Sequence, residues 1–262
     1  MIIVIDIGNT NTVIGLYDND DNLLTHWRVE TVENKTVDEY GILIYQFLLY
    51  KNIKKDEIKG AIISCVVPPL LPIFYLLCKK YFNIKPILVE PGIKTGMPIM
   101  YDNPAEVGAD RIVNAVAAYE QYKKGIIVVD FGTATTFDYI TPNGEYKGGI
   151  IVPGILISLD ALFHHAAKLP RIELIKPKRV IGKSTIQAMQ SGIYYGYAGM
   201  VDAIVEKIKS EIQEKPFVIA TGGLAHFIAA ASKTIEKVDE NLTLKGLLIL
   251  YKKNVKYQKI HL

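Results

Sequence analysis

The sequence predicts an α/β protein made of two related halves. Its 262 residues are 50% apolar and 22% charged, which is typical of a folded globular chain and excludes a disordered one. Strands rich in β-branched residues alternate with stretches of helical periodicity. A strand that ends in aspartate and is followed by a glycine turn occurs twice, at Asp6 and at Asp130, 124 positions apart. One repetition at about half the chain length indicates two domains, which we place at 1–123 and 124–262.

The elements of the first half are each bounded by a local signal. A β-branched strand leads to Asp6, and a glycine turn connects it to a second strand, Val13–Tyr17. A third strand, a helix, a buried strand and a second helix follow, at Leu23–Glu30, Val37–Tyr50, Gly60–Val66 and Leu70–Tyr81. The uncharged run Ala61–Cys78 reaches the length of a membrane helix. Three prolines interrupt this run, so a strand followed by a proline-started helix explains it better.

The second half repeats the order of strands and adds helices. A strand leads to Asp130, two more are predicted at Phe137–Ile140 and Glu145–Val152, and a helix follows at Ile155–Ala166. A long helix or helix pair, a strand and two further helices complete this half, at Ser184–Ile212, Phe217–Ala220, Leu224–Ala231 and Leu244–Lys253. Between the two halves, Glu106–Tyr122 is predicted to be a connecting helix.

Charge and cysteine content narrow the class of function. Thirty basic and 27 acidic side chains leave a net charge of only +3, which argues against a dedicated nucleic-acid binder. The two cysteines, Cys65 and Cys78, lie in apolar surroundings and are predicted to be buried thiols in a reducing compartment. The N-terminus carries no recognisable signal peptide, so we expect a cytoplasmic protein without a membrane span.

Two further groups of side chains are predicted to be structural. The C-terminal lysines are expected to solvate a helix end and tail: Lys245, Lys252, Lys253, Lys256 and Lys259. The histidines form no constellation and are expected to be core or surface residues: His26, His164, His165, His226 and His261.

The two aspartate–glycine turns are candidate phosphate-binding loops. Neither common nucleotide fingerprint is present: Gly182-Lys183-Ser184 lacks the glycine that a Walker A loop needs at position 177, and no G-x-G-x-x-G occurs. In the segment Asp6–Thr12, the aspartate can hold hydrated Mg²⁺ at a strand end, and Gly8 lets the backbone approach a phosphate. Asn9, Thr10, Thr12 and backbone N–H groups can donate to phosphate oxygens. Ordinary hairpin turns are the alternative, but the second copy, Asp130–Thr136, favours phosphate binding by both loops.

Two other motifs have chemical potential. Thr221-Gly222-Gly223 follows a predicted strand and precedes a helix, where it can admit a flat ligand or an anion, or form no more than a tight turn. In Gly108-Ala109-Asp110-Arg111, an acidic and a basic side chain lie next to each other at a predicted helix start. Such positions commonly hold surface charges or helix caps. Beside two phosphate loops, Asp110 can instead accept the proton of an attacking alcohol. Arg111 can then bind a substrate carboxylate or the transferred phosphate.

Glycines recur three and four positions apart within the long helical segment, at Gly192, Gly196 and Gly199. Such spacing allows a second helix to approach closely. We expect either a contact between two copies of the chain or packing within the chain against Tyr194 or Tyr197.

Taken in order, these motifs resemble those of the superfamily of acetate kinases, sugar kinases, heat-shock-70 proteins and actin, and more narrowly the type III pantothenate kinases. The resemblance spans nearly the whole chain. It is carried by Asp6-Ile7-Gly8-Asn9-Thr10, Gly108-Ala109-Asp110-Arg111, Asp130-Phe131-Gly132-Thr133-Ala134-Thr135 and Gly148-Gly149-Ile150-Ile151-Val152-Pro153-Gly154, with weaker support from Tyr101-Asp102-Asn103-Pro104 and Leu169-Pro170-Arg171.

The resemblance implies two ribonuclease-H-like domains around a central cleft and ATP-dependent phosphorylation of pantothenate, the first step of coenzyme A synthesis. It implies a homodimer, Mg²⁺ held through water by Asp6, K⁺ or NH₄⁺ held by Asp130, and Asp110 as the catalytic base. The implied nucleotide-binding residues are Asp6, Ile7, Gly8, Asn9, Thr10, Asn11, Thr12, Val13, Thr133, Gly222 and Gly223. The implied substrate-binding residues are Tyr101, Gly108, Ala109, Asp110, Arg111 and Thr185.

Three alternatives remain open from the residues themselves. The chemistry of Asp130 suits a second Mg²⁺ as well as a monovalent cation. The acceptor can be another small alcohol, such as a sugar. The chain can also be a non-catalytic regulatory relative, acting on transcription or on a partner protein, although such a protein has no need of the base Asp110.

Overall fold

A computed structural model of the chain describes residues 1–260, with side chains as far as Tyr257. His261 and the side chain of Lys259, both considered above, lie outside the described residues. The structure divides into two compact units: Met1–Ala117 together with the segment from Leu242 onward, and Ala118–Asn241. None of the helices within residues 1–260 is long and apolar enough to cross a bilayer.

The first unit is built on a five-stranded sheet of order β3-β2-β1-β4-β5. Its strands are β1 (Ile2–Ile7), β2 (Asn11–Tyr17), β3 (Leu23–Glu30), β4 (Gly60–Cys65) and β5 (Ile87–Leu88). The first three strands form an antiparallel meander, and β4 and β5 run parallel to β1. The sequence predicted all of these strands except β5, which has two residues and too little pattern to recognise.

Helices cover both faces of this sheet. Helices α1 (Val37–Tyr50) and α2 (Leu71–Phe82) pack on the face to which β1 contributes Ile3, Ile5 and Ile7, all fully buried. The sequence sets the helix ends: Thr36 and Glu39 form a reciprocal cap before α1, and a left-handed Asn83 terminates α2.

The last helix, α7 (Leu242–Ile260), covers the opposite face of the same sheet and contacts β1 and β4. Close approach requires glycine: a side chain at Gly15 would come within 3.2 Å of Leu244, and one at Gly60 would overlap the ring of Tyr251. This placement corrects the predicted domain boundary, which assigned the whole of 124–262 to the second domain. The chain returns to the first unit because the apolar face of that sheet is otherwise uncovered.

The second unit contains a second five-stranded sheet, of order β10-β9-β6-β7-β8. Its strands are β6 (Ile126–Phe131), β7 (Ala134–Ile140), β8 (Tyr146–Pro153), β9 (Phe217–Thr221) and β10 (Lys237–Val238). The remaining helices are α3 (Ala109–Tyr122), α4 (Ile155–His165), α5 (Thr185–Ile212) and α6 (Ala225–Ala229). The predicted long helix or helix pair is the single helix α5, and the unit division falls within α3.

The two sheets repeat each other closely. Strands β2 and β7 have the same sequence of buried and half-buried positions, and each is the second strand of an antiparallel hairpin. The offset between the copies is 124 positions at Asp6 and Asp130 but 123 positions at Thr12 and Thr135, because the second hairpin turn is one residue shorter. The repeat found in the sequence is therefore a structural repeat with one deletion.

Candidate active site

The first loop connects β1 to β2 and presents the predicted phosphate-binding residues. It is closed by a hydrogen bond of 3.1 Å from the Gly8 N–H to the Asn11 carbonyl. Asn9 and Thr10 are exposed at its tip, whereas Ile7 and Thr12 are buried. The side chains at the tip and the loop backbone are thus accessible to a ligand, while the Thr12 side chain belongs to the support of the loop.

Asp6 lies at the carboxyl end of β1, on the face opposite to the Ile3, Ile5 and Ile7 core. Burial of the carboxyl and, next, the negative charge of Asp110 raise its pKa from 3.8 to about 7. The buried Ser64 hydroxyl, opposite Asp6 in the β1–β4 ladder, and the positive charge of Arg28 act in the other direction and lower this pKa. Because the charge of Asp110 acts on Asp6, these two carboxyl groups lie close together in the fold although they are 104 positions apart in sequence.

Asp110 stands in the first turn of α3, where the helix dipole favours a negative charge. Its Oδ1 accepts a hydrogen bond of 2.8 Å from the Arg111 N–H. Burial raises the pKa of the Asp110 carboxyl, and the Arg111 N–H and guanidinium limit that rise. A side chain at Gly108 would come within 2.6 Å of Oδ1, so glycine at this position leaves room for the carboxylate. Arg111 itself is buried.

The second loop, between β6 and β7, is closed by two backbone hydrogen bonds. The Gly132 N–H donates to the Ala134 carbonyl at 3.1 Å, and the Gly154 N–H donates to the Thr133 carbonyl at 3.1 Å. A side chain at Gly222, where φ is +91°, would come within 2.6 Å of Asp130 Oδ1. The structure therefore brings the predicted cation ligand Asp130 and the glycine pair that follows β9 together.

The predicted site residues fall into two groups. The first unit contains the loop residues, Asp6, Asp110 and Tyr101. Tyr101 is half-buried in the segment before α3 and stays a candidate substrate-binding residue. In the second unit, Thr185 is exposed as the first residue of α5, and Ser184 caps that helix by accepting a hydrogen bond from the Gln187 N–H. The Gly182-Lys183-Ser184 segment is thus a helix start and has no Walker A geometry.

Sequence reasoning missed three residues that surround the first loop. Ser64 and Arg28 influence the charge of Asp6, and the Thr31 hydroxyl donates to the Gly8 carbonyl at 2.7 Å. Arg28 lies on β3, Thr31 immediately follows β3, and Ser64 lies on β4; neither strand carries a motif of its own. Only the strand register, which places Arg28 opposite Val13 and Ser64 opposite Asp6, could have identified two of them.

The donor set at Asp6 suits a magnesium ion held mainly by water and phosphate. Within residues 1–260, no three histidine, cysteine, aspartate or glutamate side chains converge as a metal cluster. Mg²⁺ commonly takes one or two protein carboxylates and completes its octahedron with water and substrate phosphates. The half-buried carboxylates of Asp6 and Asp110, the second of which raises the pKa of the first, fit this type of site.

Comparison with known proteins places the chain in a family. A sequence profile of type III pantothenate kinases matches residues 2–207. The chain belongs to the type III pantothenate kinase family. The type III pantothenate kinase of Syntrophus aciditrophicus is 58% identical to it over 254 residues, which cover 97% of this chain and 100% of that protein. The type III pantothenate kinase of Geobacter sulfurreducens is 57% identical, with 97% and 99% coverage.

Solved structures share the fold of this chain at low sequence identity. A Campylobacter jejuni protein assigned to the Baf family of transcriptional activators has a TM-score of 0.59 at 21% identity, covering 97% of this chain and 99% of that one. The activator of 2-hydroxyisocaproyl-CoA dehydratase from Clostridium difficile, with bound ADPNP, has a TM-score of 0.54 at 12% identity, with 98% and 96% coverage. These likenesses, with the two five-stranded sheets, confirm the predicted α/β fold class.

Proposed function

We propose that this chain transfers the γ-phosphate of ATP to the terminal hydroxyl of pantothenate and so forms 4'-phosphopantothenate, the first step of coenzyme A biosynthesis. Family membership over nearly the full chain supports this reaction. The observation that carries the proposal is the acidic pair at the loop: a half-buried Asp110 next to Asp6. A protein that only bound nucleotide would have no use for a proton acceptor there.

Asp110 is the proposed base. An attacking alcohol must lose its proton, and a carboxylate in reach of it can accept that proton. Burial moves the pKa of Asp110 upward, toward the value of an effective proton acceptor at neutral pH. The Arg111 N–H and guanidinium act in the other direction and lower the pKa of this carboxyl. The same guanidinium, together with Tyr101, Gly108 and Ala109 of the first unit and Thr185 of the second, is proposed to bind pantothenate.

Asp6 is proposed to hold Mg²⁺ through water. The metal would neutralise charge on the phosphates, which no lysine of the first loop can do. The loop itself, from Gly8 to Val13, contributes backbone N–H groups and the exposed side chains of Asn9 and Thr10. In the second unit, Thr133, Gly222 and Gly223 are the proposed nucleotide contacts.

Asp130 is proposed to hold a monovalent cation. A side chain at Gly222 would come within 2.6 Å of the Asp130 Oδ1, so glycine at this position leaves space for a cation beside the carboxylate. Oxygen ligands of this kind also suit a second Mg²⁺. The dependence of activity on K⁺ or NH₄⁺ distinguishes a monovalent cation at Asp130 from a second Mg²⁺.

One assay tests both the acceptor and the cation. We expect ADP release from MgATP to require pantothenate, to proceed in K⁺ or NH₄⁺, and to disappear when Na⁺ replaces them. The reason is that K⁺ and NH₄⁺ are larger and more weakly hydrated than Na⁺, so a site with a single carboxylate can strip their water more readily. The Asp130→Asn variant should lose activity in every salt and retain its fold by circular dichroism.

Each contrary result has a definite meaning. Full activity in Na⁺ alone would contradict the cation role of Asp130. ADP release with a sugar but not with pantothenate would identify a different acceptor. ATP binding without any turnover in the presence of pantothenate would favour the regulatory alternative.

We also propose that two copies of the chain associate through α5. Apart from the adjacent residues and the backbone of α5 itself, no described atom lies within 4 Å of the position that a Cβ would occupy at Gly192, Gly196 or Gly199. Packing of these glycines within the chain, the alternative considered above, is therefore not observed. Tyr195, which lies between these glycines on α5, is exposed as well. A glycine face beside an exposed apolar residue suits close approach of an identical helix.

The cytoplasmic location expected from the sequence stays a prediction.

Light scattering of the purified protein tests this association. We expect the wild-type chain to be a dimer and Gly196→Leu to be a monomer, because a leucine side chain would hold two helices apart. Glu211→Leu, which adds a leucine at an exposed position in the last turn of α5, is the matched control and should remain dimeric. A wild-type monomer, or a dimeric Gly196→Leu variant, would contradict the proposed contact.

A further inference from the structure

Thr31, immediately after β3, makes three hydrogen bonds to the first loop. Its hydroxyl donates to the Gly8 carbonyl at 2.7 Å, and its backbone N–H donates to the Thr10 carbonyl at 3.0 Å. The two hydroxyl oxygens of Thr31 and Thr12 are 2.9 Å apart. Because Thr31 has a single hydroxyl proton, which goes to Gly8, Thr12 is the donor in this third bond. One residue thus contacts the beginning, the tip and the end of the loop.

These bonds determine where the loop N–H groups point. In a trans peptide unit, the C=O and N–H groups point in opposite directions. The Gly8 carbonyl shares its peptide unit with the Asn9 N–H, and the Thr10 carbonyl shares its unit with the Asn11 N–H. Since both carbonyls are directed toward Thr31, the Asn9 and Asn11 N–H groups are directed away from it. Two backbone N–H groups on the side of the loop away from Thr31 are therefore in a position to donate to an anion.

Thr31 is itself supported from the core. The hydroxyl of Tyr40, a fully buried residue of α1, accepts a hydrogen bond from the Val32 N–H at 2.9 Å and donates to the Val32 carbonyl at 3.0 Å. The Tyr40 ring packs on Phe74 of α2, with centroids 4.6 Å apart. Both backbone groups of the residue next to Thr31 are therefore held by a side chain that cannot move without disturbing the core.

The second loop lacks this side-chain support. Gly154 occupies the position equivalent to Thr31, and its N–H makes the equivalent bond to the Thr133 carbonyl. A side chain at Gly154 would come within 2.1 Å of that carbonyl oxygen, so no threonine fits. Thr135, equivalent to Thr12, is fully buried, and its hydroxyl has no hydrogen-bond partner among the described residues. The hydroxyl brace therefore belongs to the first loop alone.

We propose that Thr31 is a positioning residue for the first loop, which orients the Asn9 and Asn11 N–H groups toward the phosphates of ATP. This inference rests on the proposed function, in which the first loop binds the nucleotide. Thr31 does not contact the reacting atoms in this proposal; it acts through Gly8, Thr10 and Thr12.

Binding of MgATP in the absence of pantothenate tests the brace. We expect Thr31→Val to raise the Kd at least tenfold, about 1.4 kcal/mol, while KM for pantothenate changes less than twofold. Thr31→Ser keeps the hydroxyl and should restore the Kd to within threefold of wild type. The matched control is Thr25→Val, which makes the same change on the same face of β3, six residues before the loop support, and should leave the Kd unchanged. Tyr40→Phe removes the next hydroxyl of the brace and should raise the Kd about threefold, which provides a second measurement if Thr31→Val does not fold.

Failure of this inference is distinguishable from failure of the proposed function. If wild type binds MgATP and the folded Thr31→Val and Tyr40→Phe variants bind it equally well, the positioning role is contradicted and the kinase proposal stands. If Thr31→Ser is as weak as Thr31→Val, the methyl packing and not the hydroxyl matters, and the brace is again contradicted. A wild-type chain that binds no MgATP would overturn both proposals.

Discussion

Replacing Asp110 with asparagine should lower kcat by about 10²–10⁴, equivalent to about 3–5 kcal/mol of activation free energy. Asparagine has nearly the same shape and can still accept the hydrogen bond from the Arg111 N–H, so the start of α3 should remain intact. It cannot accept the proton of the attacking hydroxyl. Steady-state ADP release in the presence of K⁺ measures kcat, and calorimetric titration with MgATP should show a Kd within about threefold of wild type.

The matched control for this substitution is Asp20→Asn. Asp20 lies exposed in the β2–β3 turn of the same unit, so its replacement removes one negative charge without touching the acidic pair. It should have wild-type kcat. Near-normal turnover in Asp110→Asn would remove Asp110 from the role of base, whatever the behaviour of the control.

Replacing Asp6 with asparagine should abolish activity and, in metal-free protein, increase stability at pH 8. The pKa of Asp6 is raised from 3.8 to about 7 on folding, chiefly because burial penalises the charged form. Well below pH 4 the Asp6 carboxyl is neutral in both the folded and the unfolded state, so it does not lower the free energy of unfolding. As pH rises toward 7, the unfolded state loses its proton first, so the free energy of unfolding falls. A shift of this size corresponds to about 4 kcal/mol, and about 2 kcal/mol is a realistic gain for a half-exposed carboxyl.

The measurement is thermal unfolding of both proteins in EDTA from pH 4 to pH 8.5. The Tm of Asp6→Asn should exceed that of wild type by an amount that grows between pH 4 and pH 7 and then stays constant. Added Mg²⁺ should raise the Tm of wild type more than that of the variant, because the metal favours the charged carboxylate. A Tm difference that does not vary with pH, or a less stable variant at pH 8, would contradict the raised pKa.

Local pattern was sufficient for most of the secondary structure. The bounds of β3 and α1 agree with the prediction residue for residue, because alternation and the Thr36 cap are encoded within a few positions. The two hairpins with an aspartate at the end of their first strand were also predictable, since a strand, a glycine turn and a second strand are contiguous in sequence. Shorter elements were not: β5 and β10 form only because a parallel neighbour supplies their hydrogen bonds.

The amino-acid sequence by itself determined the α/β class, the repeated loop and, through its motifs, the family of the protein. The tertiary structure alone decided which unit α7 covers, that Asp6 and Asp110 share one acidic site, and that Thr31 braces only one of two similar loops. The physical reason is the range of the interactions. Strand alternation and helix caps act between near neighbours in the chain, whereas desolvation, charge repulsion and cross-strand hydrogen bonds depend on residues that meet only after folding.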